Sequence, residues 1–384
     1  MTQRTAVAHL VCALLAVSVA AAQAGDWPAY HGSFALTGRA TDVLPTSLVR
    51  LWKTPVGQAV IGTPVSDGTR IYALTSDAKL TALDLDGKPV WTTTINGAPG
   101  PDGTARAEDF TAPLLVAEGT VVAGASSGIL YAFAAADGKP RWTYDVAGTI
   151  MGAPTCVQAP EPPLHRVVAL EQARGTLHAV DLATGKRVWT SETGARCDGS
   201  LASADGNIVF GNCSAAFHVI SGVTGEETAR VDLGEGREMA GGMAVLQSVA
   251  YSGNRSGALA AADLKNQEVL WTQEEGQGEL FTTPAIGDAL VVFMAGDGVV
   301  YAVDRATGRT KWSFESEGAI PSSPVISGPH VVLADGGKLR LLDLATGAKR
   351  WEFAVSDGIT SPAIVNGRII VGADDGAVCA FGKE

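Results

Sequence analysis

Ala179-Val180-Asp181-Leu182-Ala183-Thr184-Gly185-Lys186-Arg187-Val188-Trp189 is one of seven copies of the pattern A-x-D-x-x-T-G-x-x-x-W. Clear copies span residues 302–312 and 341–351, weaker ones end at Trp91, Trp142 and Trp271, and one, residues 219–229, has Ala229 in the aromatic position. With Trp52 as a further marker, the repeat returns every 39 to 51 residues. A period of that size belongs to propellers and solenoids.

The content of each period decides between them. Short β-rich runs such as Arg70-Ile71-Tyr72-Ala73-Leu74 and Leu290-Val291-Val292-Phe293 alternate with Asp-Gly, Ser-Gly and Thr-Gly pairs, and no segment has helical periodicity. The Asp-x-x-Thr-Gly element reads as a hairpin, in which short polar side chains satisfy turn amides and Gly takes the positive φ. That gives four strands per unit. Trp52, Trp91, Trp142, Trp189, Trp271, Trp312 and Trp351 then fall on outer strands, where each fills the wedge between neighbouring sheets.

After Trp351 the chain holds three more strand-like runs, around residues 361–365, 368–372 and 377–381, and no fourth. The missing partner is Leu51-Trp52-Lys53. The expectation is an all-β, eight-bladed propeller of four-stranded antiparallel blades over residues 46–384, its last blade sewn from both chain ends so that no sheet edge is left open. Forty-six glycines, 46% hydrophobic and 18% charged residues suit one such turn-dense domain.

Residues 1–24 read as a secretory signal: Arg4 gives the basic start, residues 7–22 the apolar stretch, and Ala22-Gln23-Ala24 a cleavage site. Cys12 lacks the small residue that precedes a lipidated cysteine. Residues 25–45 form an entry segment. No later apolar run is long enough to span a bilayer. Cleavage removes one arginine and no acid, so the mature chain is one unit more negative than the −12 of the whole; such a surface repels nucleic acid and anionic membranes. A periplasmic or secreted monomer is expected. In the repeat register Cys197 and Cys213 fall side by side on one face, and the oxidising compartment permits a Cys197–Cys213 disulfide. Cys156 and Cys379 lie on distant blades.

The repeat resembles that of the PQQ-like, or quinoprotein-type, β-propeller superfamily, and Asp26-Trp27-Pro28-Ala29-Tyr30-His31-Gly32 with Thr37-Gly38 resembles its N-terminal segment. That resemblance implies one of two activities. In the dehydrogenase branch, pyrroloquinoline quinone (PQQ) and Ca2+ sit on the propeller axis, and Glu171 and Asn254 are similar in place to a glutamate and an asparagine that ligate calcium; oxygen ligands of this kind suit that ion. In the non-catalytic branch of BamB type, the propeller is a protein-interaction scaffold in outer-membrane assembly, with no cofactor.

The sequence departs from the enzymes where Ala125-Ser126-Ser127-Gly128 stands in place of adjacent cysteines, and where Gly278-Glu279-Leu280-Phe281 stands in place of the segment holding the catalytic base. The five mature histidines show no paired metal spacing, and no C-x-x-C-H is present for a haem. Glu171 and Asn254 equally suit ordinary turns. The leading expectation is therefore the scaffold, binding envelope proteins or peptides and no nucleic acid; the alternative is a small PQQ- and calcium-dependent dehydrogenase. Candidate ligand- or partner-binding residues are Arg106, Glu108, Glu171, Arg174, Arg237, Glu238, Asn254 and Arg255; the loops holding Arg106 and Glu108, Arg196 and Asp198, Arg237 and Glu238, and Asn254 and Arg255 cluster on one predicted face. The Gly/Pro-rich insertion from Ile95 to Phe110 makes one of those loops longer than the rest.

Overall fold

A computed structural model describes residues 25–97, 108–159, 164–317 and 322–384. Residues 1–24, where a signal is expected, lie outside the described residues, as do Arg106 and most of the insertion. Among the described residues the chain forms eight four-stranded antiparallel sheets and no helix. In chain order, blades 1 to 7 cover residues 60–94, 115–145, 155–192, 202–232, 244–273, 285–315 and 325–354. Blade 8 joins Ala363–Val365, Arg368–Gly372 and Ala377–Gly382 to Val49–Pro55, whose register pairs Trp52 with Ala380 and Thr54 with Val378. First strands of neighbouring blades meet around the axis, so the first strand of each blade is innermost. Apolar faces pack between blades: Tyr72, Leu74 and Leu80 of blade 1 share one buried cluster with Val121 and Phe133 of blade 2.

The repeat works as a lock between blades. Each outer strand has one extra residue just before the tryptophan position; Val188 is unpaired between the Trp189–Ala179 and Arg187–Val180 partners, and Leu51, Val90, Arg141, Thr228, Leu270, Lys311 and Arg350 hold the same place in the other blades. Such a bulge re-aims the next side chain. Trp142 thereby turns onto blade 3, where its Nε1 donates to the Leu182 carbonyl at 2.8 Å and its ring lies over Gly185. Gly185 has φ +68°, and a Cβ there would come within 2.6 Å of the indole, so both the turn and the close approach demand glycine. All seven marker tryptophans make the corresponding bond at 2.8 to 3.1 Å.

The entry segment runs beneath the ring of inner strands and bonds them in turn. Its carbonyls at Pro28, Phe34, Ala35, Thr37 and Gly38 accept the amides of Val116, Ser203, Val245, Ile286 and Ile326, which belong to blades 2, 4, 5, 6 and 7. From it Tyr30 projects into the axis. Its hydroxyl bonds Thr283, and a Cβ on Gly242 would sit 2.6 Å from that oxygen. Around it hydroxyls link blade to blade: Ser200 accepts Ala153 N–H, Ser323 accepts Thr283 N–H and Ser361 accepts Ser323 N–H, each at 3.0 Å. His31 is fully buried between the Leu36 and Pro324 carbonyls, each 2.8 Å from a ring nitrogen. The segment therefore fills the axis from the end that carries the Asp-x-x-Thr-Gly hairpins.

Candidate protein-binding face

With that end filled, the open face of the propeller is the opposite one, built from the loops that enter each inner strand and those that follow each second strand. Loops carry no ladder obligation beyond their ends, so their side chains are free to serve binding on a rigid support.

Asp198 organises one side of this face. Its carboxylate is only 7% exposed and must be compensated. Arg196 Nε lies 2.9 Å from its Oδ1, Gln172 Nε2 donates to the same oxygen at 2.5 Å, and Arg255 closes onto Oδ2. Arg255 also reaches Glu279 at 2.7 Å, and its guanidinium lies 5.8 Å over the Phe281 ring. Burial works against the charge of Arg255, but Glu279, the Cys213 thiol and Asp198 outweigh it and hold its pKa above the ordinary value. The cluster thus ties loops of blades 3, 4, 5 and 6 into one surface. Its outer margin is open: the Arg174 side chain is 68% exposed, and Phe281 and Met151 are 49% and 41% exposed.

The expected site residues divide. Arg255 and Arg196 are brought together, and the Glu238 carbonyl fixes Arg255 by accepting its backbone N–H at 3.0 Å. Arg237 turns outward to Thr272 and Glu274 at 2.8 and 3.0 Å. Glu108 is buried and accepts the Tyr131 hydroxyl at 2.6 Å. Phe281, Met151 and Gln172 were not among the expected site residues; a large aromatic in a loop entering a blade, away from any strand pattern, is the signal that could have found the first of them.

Glu171 and Asn254 act as turn caps. Glu171 spends one oxygen on Ala173 N–H at 2.9 Å and the other on Arg174 N–H at 3.0 Å. Asn254 Oδ1 accepts Ser256 N–H, Ser256 Oγ–H and Ala258 N–H. Asn212, at the same repeat position in blade 4, caps Ser214 in the same way. Among the described residues no group of three or more His, Cys, Asp or Glu is arranged to hold a metal ion. Calcium takes six to eight oxygens, and three oxygens already committed to their own turn amides do not fit it.

The Cys197–Cys213 bridge is not formed; both are free thiols. The two loops are neighbours, since Cys213 N–H donates to the Arg196 carbonyl at 2.8 Å. The buried Cys197 sulfur, however, points to the Gly211 carbonyl at 3.0 Å.

The architecture defines an eight-bladed propeller of the PQQ-like repeat class, closed by tryptophan docks and open on one loop face. The chain belongs to the family whose model is described as outer membrane protein assembly factor BamB, which matches residues 49–150, 173–239 and 218–384. Curated relatives carry that same description: the Shewanella oneidensis protein is 25% identical over 74% of this chain and 75% of its own length, and the Yersinia pestis protein 23% identical over 67% and 66%. Among solved structures, BamB from Moraxella catarrhalis superposes with a TM-score of 0.71 at 18% identity, covering 88% of this chain and 98% of that one. A europium-containing methanol dehydrogenase gives 0.78 at 15% identity, covering 94% and 98%. Likeness at that identity speaks to fold alone.

Proposed function

We propose that this protein is a non-catalytic scaffold of the periplasm that binds envelope proteins during outer-membrane protein assembly. In this reading the signal is cleaved near Ala24, and the mature propeller acts as a monomer. The observation that carries it is the loop face: a buried acid holds Arg196 and Arg255 in place, with Arg174, Phe281 and Met151 exposed around them, on a propeller whose other end is filled by its own entry segment. Arginine and aromatic side chains on a preorganised support are what protein interfaces favour at their centres. The family match supplies the biological setting. The dehydrogenase alternative loses support because the oxygens of Glu171 and Asn254 are spent on their own turns.

Deleting the gene in its own host and following the steady-state level of outer-membrane β-barrel proteins tests this. Lower levels restored by the wild-type gene, and not by one encoding Arg174→Glu with Phe281→Ser, are expected; unchanged barrel levels in the deletion strain contradict the reading.

A further inference from the structure

We propose that the junction between blades 4 and 5 is a receptor for an indole, the tryptophan side chain of a partner protein. Seven junctions of this ring are filled by the chain's own indoles: six donate to the carbonyl just after the third strand of the next blade, as Trp189 does to Gly222 at 3.1 Å, and Trp351 donates to Leu48, just ahead of the strand that completes blade 8. At the eighth, Ala229 stands in the aromatic position. The device that aims a side chain into the junction is nevertheless kept, because Thr228 is bulged between the Ala229–Val219 and Glu227–Ile220 pairs. The acceptor is kept too, as the Leu264 carbonyl.

The surroundings fit an absent ring. Gly87, Gly138, Gly185, Gly225, Gly308 and Gly347 are each buried beneath an indole, whereas Gln267, which holds their place here with φ +56°, is exposed. A second filler is also missing. Arg70 and Arg368 begin the second strands of their blades and reach the same carbonyl as the local tryptophan; in blade 4 that position is Asn207, whose side-chain N–H bonds Asp205 instead.

What remains is a cleft of about 250 Å³ walled by Val209, Val219, Ala229, Val245 and Leu264. Pockets for drug-sized ligands start at roughly 300 Å³, so this one suits a single fused-ring side chain. The seven internal examples specify the occupant: a flat apolar body with one N–H donor. At the six glycines a Cβ would come within 2.4 to 2.7 Å of the indole, so over the Cβ of Gln267 a ring must stand further off than in the internal docks, which keeps the contact weak and reversible.

This rests on the scaffold reading only for the source of the indole, so a small-molecule probe tests the cleft by itself. The ¹⁵N-labelled mature protein is titrated with N-acetyltryptophanamide, with N-acetylleucinamide as control. Saturable shifts at Ala229, Val245 and Leu264 are expected with the indole alone. Gln267→Gly should bind about threefold more tightly or better, a difference of about 0.7 kcal/mol. The double variant Ala229→Trp with Gln267→Gly supplies its own indole; it should lose the shifts and unfold at higher urea. No saturable shift in the wild type, or binding unchanged in the double variant, overturns the proposal. Either result leaves the loop-face reading where it stood.

Discussion

Trp351 donates its indole N–H to the carbonyl of Leu48 at 3.0 Å, joining residues 303 apart in sequence. The bond closes the ring: it ties the outer strand of blade 7 to the chain just ahead of the strand that completes blade 8. Blade 8 has no covalent hairpin between Val49–Pro55 and its neighbour, so this dock and the strand pairing hold it. Trp351→Ala should therefore destabilise the protein by about 2–4 kcal/mol, near the lower end for losing a large aromatic because the ring is partly exposed. Urea unfolding checks this, and limited proteolysis should show faster cutting near residues 45–50. A loss under about 1 kcal/mol would falsify the closure argument.

The repeat was legible because its information is local. Asp-x-x-Thr-Gly makes its own turn, as Asp343 does by accepting the Thr346 amide at 3.0 Å and hydroxyl at 2.9 Å, and the tryptophan marks the outer strand. The route of the entry segment beneath five blades was not legible, since it is held by backbone carbonyls that leave no side-chain trace. Glu171 and Asn254 were ambiguous for a related reason. Sequence places an oxygen in a turn, but whether that oxygen faces an axis or its own amides is a matter of rotamer. The same holds for Cys197 and Cys213: their loops adjoin as the register implied, yet one sulfur faces a carbonyl.

Acid should weaken the fold in two separate windows. His31, His178, His218 and His330 are buried or half-buried and their pKa values lie below the usual 6.5, because burial disfavours the charged ring. Unfolded chains bind these protons near pH 6.5 while the folded protein does not, so this stability is whole above 6.5 and is lost as pH falls toward the folded values. Glu352 behaves later: Arg340, then Lys349, hold its carboxylate down from 4.5 to about 2, so its contribution is present above 4.5 and lost as pH falls toward 2. Urea midpoints measured from pH 8 to pH 3 should show a first decline beginning near 6.5, reduced in His31→Gln. A flat profile down to pH 5 contradicts the histidine assignment.

Thiol chemistry should separate the four cysteines that follow residue 24. Cys213 is partly exposed, whereas Cys156, Cys197 and Cys379 are buried. Burial pushes the thiols of Cys156 and Cys197 up to about 12, which suppresses the reactive thiolate. A maleimide should label one site in the native protein and four in urea without reductant. Two sites in urea would instead mean that the purified protein carries a disulfide.

Cofactor titration addresses the carboxyl and amide oxygens of Glu171 and Asn254 directly. With Ca2+ present, the mature protein should take up no stoichiometric PQQ at high micromolar cofactor, by absorbance. Glu171→Gln should lower stability by about 1–3 kcal/mol, because the amide has one acceptor oxygen where the carboxylate uses two and leaves one of the 173 and 174 amides uncapped. Stoichiometric uptake that this substitution abolishes would make the chain a quinoprotein.

The most direct measurement is the binding isotherm of the mature protein with the purified outer-membrane assembly machinery of its own host, for the wild type and for Arg174→Glu with Phe281→Ser. Both substituted side chains are exposed, so the fold should be unchanged by circular dichroism and urea midpoint. Saturable wild-type binding is expected, weakened at least about tenfold, or about 1.4 kcal/mol, in the variant. Absence of wild-type binding, or equal affinity for both proteins, contradicts it.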